Sequence, residues 1–305
     1  MSKKIIDIAK KAKESLRLKS AKTNKVYKNL VQAEIVNHLI RSFLVLDTPL
    51  MISRFGSTEA ACTDFFLRKR PKQQYKDWIR NQMINNSGFF PADDLSLDKF
   101  AQLNSDSIKQ VDLLGVWYPL GETKIIQNLC PEAYLVPLYS LEPYFHKNPW
   151  SYLLKGKRVL VVHPFAESIQ ENFLNSRNRL FKDPQTLPDF DLQVFKAVQS
   201  MGGDCNFNNW FDAFDYMRDE ISKREFEIAI IGCGAYGLPL AAFVKDLGKK
   251  AIHLGGATQI LFGIRGQRWD TKPFFQSLFN EFWTSPQASE IPDILQQNQI
   301  IRDYW

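Results

Sequence analysis

Residues 225–269, EFEIAIIGCGAYGLPLAAFVKDLGKKAIHLGGATQILFGIRGQRW, narrow the fold more than any other part of the chain. Residues 226–231 are a short apolar, β-branched run, the pattern of a strand buried on both faces. Gly232-Cys233-Gly234-Ala235-Tyr236-Gly237 follows as a glycine turn, and residues 238–247 have helical character that stops at Gly248, a natural C′ residue. Residues 250–254 make the next strand, ending in Gly255-Gly256. Together they read as one βαβ unit. Glycines at such turns let the backbone approach a ligand closely, and the N–H groups of the following helix favour an anion.

The turn matches G-x-G-x-x-G, which invites a dinucleotide reading. Such a site adds an acidic residue about 20 positions on, to hold the ribose hydroxyls. Here the second strand ends in His253-Leu254-Gly255-Gly256 with no acid at its tip, so nicotinamide loses its best support. A tight turn that only packs helix on sheet and a phosphate-bearing ligand other than a dinucleotide both remain open.

The rest of the chain alternates in the same way. Residues 25–46 read as an amphipathic helix ended by Asp47-Thr48-Pro49, and residues 50–55 as a strand. Gly56-Ser57-Thr58-Glu59 then turns into a helix over 60–67, with Ser57 or Thr58 as N-cap. Helices are expected over 71–86 and 96–104 (capped by Ser96), and strands over 112–117 and 133–137. Residues 138–150 are aromatic and proline-punctuated, which suits a pocket wall or a linker. Strands over 157–163 and 192–198 and helices over 164–173 and 210–223 lead into the central unit. The expected fold class is α/β: a Rossmann-like, mostly parallel sheet with helices on both faces and an N-terminal helical extension. The expected organisation is 1–48, a helical segment; 49–150, a first α/β half; and 151–305, a second, Rossmann-like half.

Composition excludes several classes. The chain is 45% apolar and 24% charged, the balance of an ordinary water-soluble protein. No apolar run approaches a membrane span and no signal peptide precedes the first element, so cytoplasmic residence is expected. Four cysteines lack C-x-x-C spacing, which signals neither a disulfide framework nor a zinc site. The first 28 residues hold ten Lys or Arg against two acids. Residues 3–18 could therefore form a basic amphipathic helix, either lying on an anionic membrane face or simply solvated. Basic and aromatic residues are not interleaved as in nucleic-acid modules, so no nucleic-acid partner is expected.

In parallel α/β sheets ligands bind at the carboxyl ends of the strands. The reactive side chains there are Arg54, Ser57 and Glu59 at the first junction, and Trp117, Tyr118 and Glu122 after residues 112–117. His163 and Glu167 follow the next strand, Tyr236 lies at the glycine turn, and His253, Gln259, Arg265 and Arg268 follow the last. A carboxylate beside an arginine and two glycine turns suits a metal-assisted phosphate or diphosphate site. Arg54 and Glu59 would hold the diphosphate, Glu59 through Mg²⁺ or Mn²⁺. Gly56, Gly232, Gly234, Gly237, Gly255 and Gly256 would shape the ligand pocket, and His163 or Glu167 would serve as general base. Glu59 equally suits an acid in the first turn of its helix, His163 a hydrogen-bonded structural histidine, and Trp210 and Trp269 packing rather than sugar stacking.

Met51-Ile52-Ser53-Arg54-Phe55-Gly56-Ser57-Thr58-Glu59 resembles the R-F-G-D-x-E segment of bacterial glycosyltransferases of the GT-D fold, whose D-x-E motif supports metal and nucleotide-sugar binding. The segments I-I-G-C-G-A-Y-G, H-L-G-G-A-T-Q and G-I-R-G-Q-R-W look like a sister group found with bacterial surface-polysaccharide genes. The resemblance is spread from Leu50 to Trp269 and confined to these stretches. One position departs from it: Ser57 stands in place of the first acid, and only Glu59 matches. The resemblance implies transfer of a sugar from a nucleotide-diphosphate donor to a glycan or glycosylated acceptor, in surface-polysaccharide or glycoprotein synthesis. A non-catalytic nucleotide-binding or scaffold protein, or another nucleotide-dependent α/β enzyme, is the alternative.

Overall fold

The computed structural model describes residues 24–201, 205–292 and 304–305. The basic helix expected over residues 3–18 lies outside them. Seven strands form one sheet: β1 (Leu50–Arg54), β2 (Leu113–Val116), β3 (Tyr134–Pro137), β4 (Arg158–His163), β5 (Asp191–Lys196), β6 (Ile228–Ile231) and β7 (Lys250–His253). Their order is β3-β2-β1-β7-β6-β4-β5, and every pairing is parallel.

The two-residue period of the strands sorts their side chains onto opposite faces. In β6, Ala229 and Ile231 enter one core while Ile228 and Ile230 enter the other. The first core lies under α2 (Ser57–Arg68), α3 (Asp77–Ser87), α4 (Asp94–Ile108), α5 (Glu122–Leu129), α7 (Trp210–Ser222) and α8 (Gly237–Asp246). The second lies under α1 (Ala33–Val45), α6 (Ala166–Ser176), the turns between β3 and β4, and the chain after β7, including α9 (Ala257–Leu261). Strands covered on both sides explain the continuous apolar runs. Strands from residues 49–150 and from 151–305 meet where Leu50 pairs with Lys250.

Several element ends differ from the sequence expectation, each for a local reason. The helix expected over 25–46 is a 3₁₀ turn (Lys25–Asn29) followed by α1. Val31 N–H donates to Leu135 O at 2.8 Å, so the chain between them pairs with the edge strand instead of coiling. Gly56, not Ser57 or Thr58, is the N-cap of α2. Asp93 caps α4 by accepting the Ser96 N–H at 2.9 Å. The helix α5 was not foreseen: Gly121, at φ 93°, turns the loop after β2 into it. Leu247 and Gly248 (φ 77°) end α8 where expected. No helix among the described residues is long and apolar enough to cross a membrane.

Candidate functional site

After β4 the chain moves outward to β5, whereas after β6 it moves inward to β7. Connections that diverge in this way leave a crevice at the carboxyl ends of the strands. A cavity of about 520 Å³ opens there, lined from the loops after β1, β2, β4, β5, β6 and β7. That volume accommodates a ligand of nucleotide size.

Arg54 ends β1 and reaches into the cavity. Its guanidinium lies over the Trp117 ring at 5.1 Å, and Trp117 is anchored by donating its indole N–H to Phe55 O at 2.9 Å. Gly255, at φ 61°, allows this approach, since a Cβ there would stand 3.2 Å from Arg54 Nη1. Arg54 Nε is buried with no hydrogen-bond partner, and no ion pair holds the guanidinium among the described residues. Burial lowers its pKa from the ordinary arginine value, opposed by Tyr304 and Glu59. An unpaired, desolvated cation is costly, and an anion in the cavity would relieve that cost.

The N-terminus of α2 stands beside it. Gly56 offers no side-chain cap. The Glu59 carboxylate folds back over Gly56, where a Cβ would be 1.8 Å from Glu59 Oε2. Thr58 Oγ1 donates to Glu59 Oε2 at 2.8 Å and also meets the Ser87 hydroxyl. Ser57 is exposed at the lip. Glu59 is the single acidic side chain among the described lining residues, and the described residues contain no group of three metal-capable side chains. Such a donor set fits Mg²⁺ or Mn²⁺ bound through one carboxylate, substrate phosphate and water, not an ion caged by protein.

Two histidines back the glycine turns. His163 Nδ1 accepts the Phe165 N–H at 3.0 Å, which places the proton of the neutral ring on Nε2. Burial pushes its pKa down to about 3. In this tautomer the ring presents Nε2–H, a hydrogen-bond donor, whereas the general-base role expected from sequence needs a free lone pair at that nitrogen. His253 Nδ1 lies 3.0 Å from Ser53 Oγ, and burial, then Arg54, lowers its pKa to about 3. Gly232 must lack a side chain, since a Cβ would stand 2.5 Å from Gly255 O and 2.9 Å from His163 Cδ2. Gly234 and Tyr236 also line the cavity. Tyr236 stacks on buried Trp210 at 4.6 Å and meets Ser200 Oγ at 2.8 Å.

The remaining expected residues separate. Gly256, Gln259 and Arg268 line the cavity. Gln259 Nε2 ties Ile264, Arg265 and Tyr304 carbonyls, while its Oε1 is buried without a partner. Arg268 Nη1 donates to Tyr304 OH at 2.8 Å. Gly237 sits behind the wall, where a Cβ would be 2.4 Å from His253 Nε2. Arg265 is exposed and paired with Asp270 at 3.2 Å, outside the cavity. Glu167 also lies outside it: Lys196 (2.9 Å) and Ser289 (2.8 Å) hold its carboxylate and lower its pKa. Glu122 is fully buried, accepting Trp117 N–H (3.3 Å), Tyr118 N–H (2.8 Å) and Tyr27 OH (3.0 Å). It clamps the loop that carries Trp117. Trp210 and Trp269 are both buried and serve packing.

Sequence reasoning missed the lining at 85–88, 198–201, Phe165, Tyr304 and Trp305. The loop Asn85-Asn86-Ser87-Gly88 was visible as a loop; nothing local aimed it at the cavity. Tyr304 and Trp305 arrive by long-range contacts, Trp305 Nε1 donating to Glu290 O at 3.2 Å.

No protein-family model matches the chain, and no curated protein does. Two solved structures are similar to it. One is a selenomethionine-substituted domain of unknown function 1792, at 13% identity and TM-score 0.44, covering 84% of this chain and 95% of that one. The other is described as the highly conserved domain of unknown function 1792 with a distinct glycosyltransferase fold, at 12% identity and TM-score 0.45, covering 87% of this chain and 94% of that one. The α/β fold class rests on the seven-stranded parallel sheet described above.

Proposed function

We propose that the chain is a glycosyltransferase that takes a sugar from a nucleotide-diphosphate donor and passes it to a glycan or glycosylated acceptor of bacterial surface-polysaccharide or glycoprotein synthesis. The observation that carries this reading is Arg54, a half-buried cation with no ion-pair partner among the described residues, in a nucleotide-sized cavity beside a helix N-terminus that no side chain caps by a hydrogen bond. A diphosphate satisfies both features: Arg54 binds it as a charge-assisted donor, and the first N–H groups of α2 bind it through their aligned dipoles. The likeness of R-F-G-S-T-E to the GT-D segment supports a sugar as the second part of the donor.

Within this reading, Glu59 would hold Mg²⁺ or Mn²⁺, which supplies further neutralisation of the diphosphate as the glycosidic bond breaks. His163 Nε2–H donates to the ligand, and Gly232 and Gly255 let the backbone close on it. Peripheral contact at the inner face of a membrane belongs to the same proposal.

The test is a thermal-shift panel of UDP, GDP, ADP, CDP and NAD, with and without Mn²⁺. A ligand that binds only the folded state raises Tm by mass action. One nucleoside diphosphate should raise Tm, more so with Mn²⁺, and Glu59→Ala should abolish the increment due to the metal. A shift with NAD alone would favour an oxidoreductase, and no shift with any nucleotide would favour a scaffold.

A further inference from the structure

A group transfer needs a place for the second substrate, and the cavity accounts only for the first. Residues 138–150, aromatic and proline-punctuated, do not line that cavity. After β3 they fold into short 3₁₀ turns, Leu138–Leu141 and Pro143–Phe145. Tyr139 is left 51% exposed and Phe274, arriving from the turn Pro273–Gln276, is 38% exposed. Phe145 supports both rings: it stacks on Phe274 at 4.2 Å with planes 15° apart and meets Tyr139 edge-on at 5.7 Å. Beneath them, Tyr144 packs against Phe275 at 6.1 Å, and Phe275 against Trp269 at 6.3 Å. The rings thus stand on a rigid aromatic base that runs up to Gly256, whose Cβ position lies 3.3 Å from the Trp269 ring.

A carboxylate stands among them. Tyr144 OH donates to Glu142 Oε2. Burial pushes the Glu142 pKa up to about 7, while Tyr144, Arg54, Lys272 and Arg268 pull it down. Arg54 and Arg268 both line the donor cavity, so Glu142 lies within electrostatic reach of that site.

We propose that Tyr139, Phe274 and Glu142 form a sugar-binding subsite on the rim of the cavity, occupied by the neutral pyranose of the acceptor. A pyranose presents one face of C–H groups, which the negative face of an aromatic ring attracts. Its hydroxyls point outward from the ring edge and donate to a carboxylate in charge-assisted bonds. Two exposed rings and one carboxylate match both halves of that ligand. Trp210 and Trp269, the rings that sequence offered for stacking, are 0% and 6% exposed and have no free face. The word acceptor rests on the glycosyltransferase reading; sugar binding does not.

The experiment is saturation-transfer NMR of the full chain with methyl glucoside, methyl galactoside and methyl N-acetylglucosaminide at millimolar concentration, beside the nucleotide thermal-shift panel. At least one glycoside should show saturation of its ring C–H protons. The Tyr139→Ala/Phe274→Ala double variant should lose at least about five-fold of that signal, with any nucleotide shift unchanged. Tyr139→Ser alone, at a half-exposed position, should keep the wild-type Tm and still weaken the signal, which separates binding from folding. No glycoside signal, or a signal undiminished in the double variant, overturns the subsite. Nucleotide shifts without a glycoside signal overturn the subsite alone; glycoside signals without any nucleotide shift uphold it and retire the donor reading.

Discussion

Two helices begin at the cavity, one after β1 and one after β4, and their first turns have opposite fates. At α6 the Glu167 and Ser168 N–H groups bond to Glu290 Oε1 at 2.8 and 3.2 Å, and Ser168 Oγ bonds to Oε2. Glu290 is buried and comes from 123 residues away. At α2 the cap is Gly56, which brings no side chain, and the neighbouring charge is the unpaired Arg54. The same local pattern, strand then turn then helix, becomes a closed joint in one place and an anion site in the other. What separates them is whether a carboxylate of the fold bonds to the first N–H groups: Glu290 does so at α6, whereas Glu59 lies over Gly56 without capping α2.

The largest effect should come from breaking the open site. Arg54→Ala should weaken nucleoside-diphosphate binding by roughly 100-fold, measured by calorimetry, since truncating a buried charge partner costs several kcal/mol. The Tm of the unliganded variant should stay level or rise, because the change removes a half-buried charge whose Nε is buried without a hydrogen-bond partner. A large fall in Tm would show instead that Arg54 holds the fold together.

Breaking the closed joint should do the reverse. Glu290→Ala leaves the first N–H groups of α6 uncapped and should cost about 1–2 kcal/mol in denaturant unfolding. Nucleotide affinity should remain within about two-fold. A strong loss of affinity would mean that α6 also serves the ligand.

A further effect is in pH, and it sharpens the comparison between buried acids and buried histidines. Glu122 and Glu142 are raised to about 7 by burial, and His163 and His253 are lowered to about 3. Between about pH 6.5 and 4.5 the native state binds the extra protons of the two acids, and the unfolded state those of the two histidines. The two slopes have opposite sign, about 1.4 kcal/mol per pH unit for each group, so these four sites leave stability level across that window. Below about pH 4.5 the acids are protonated in both states, the histidine slope stands alone, and stability should fall. Glu122→Gln removes one acid, so its stability should already decline from pH 6.5 downward in unfolding curves taken at each pH. A variant as level as the parent would show that Glu122 does not titrate as its burial requires.

Much of the architecture was legible in the sequence because its signals are local. Short apolar runs read as strands because both faces are buried, and Gly232, Gly248 and Gly255 read as turns because backbone approach or positive φ requires them. Arg54, Gly56, Glu59 and His163 were placed at the cavity by one rule, that strand ends gather ligands, and Glu167 and Arg265 show its limit. Each follows a strand, yet Lys196 and Asp270 hold them outside the pocket. Sequence position alone determined which residues could reach the carboxyl edge of the sheet. Only the tertiary structure decided their state: which helix start Glu290 closes, which tautomer Phe165 imposes on His163, and which rings of the 138–150 and 268–275 segments keep a free face. Those outcomes depend on partners far along the chain, and burial, hydrogen bonding and charge pairing act through space, where periodicity and spacing have no reach.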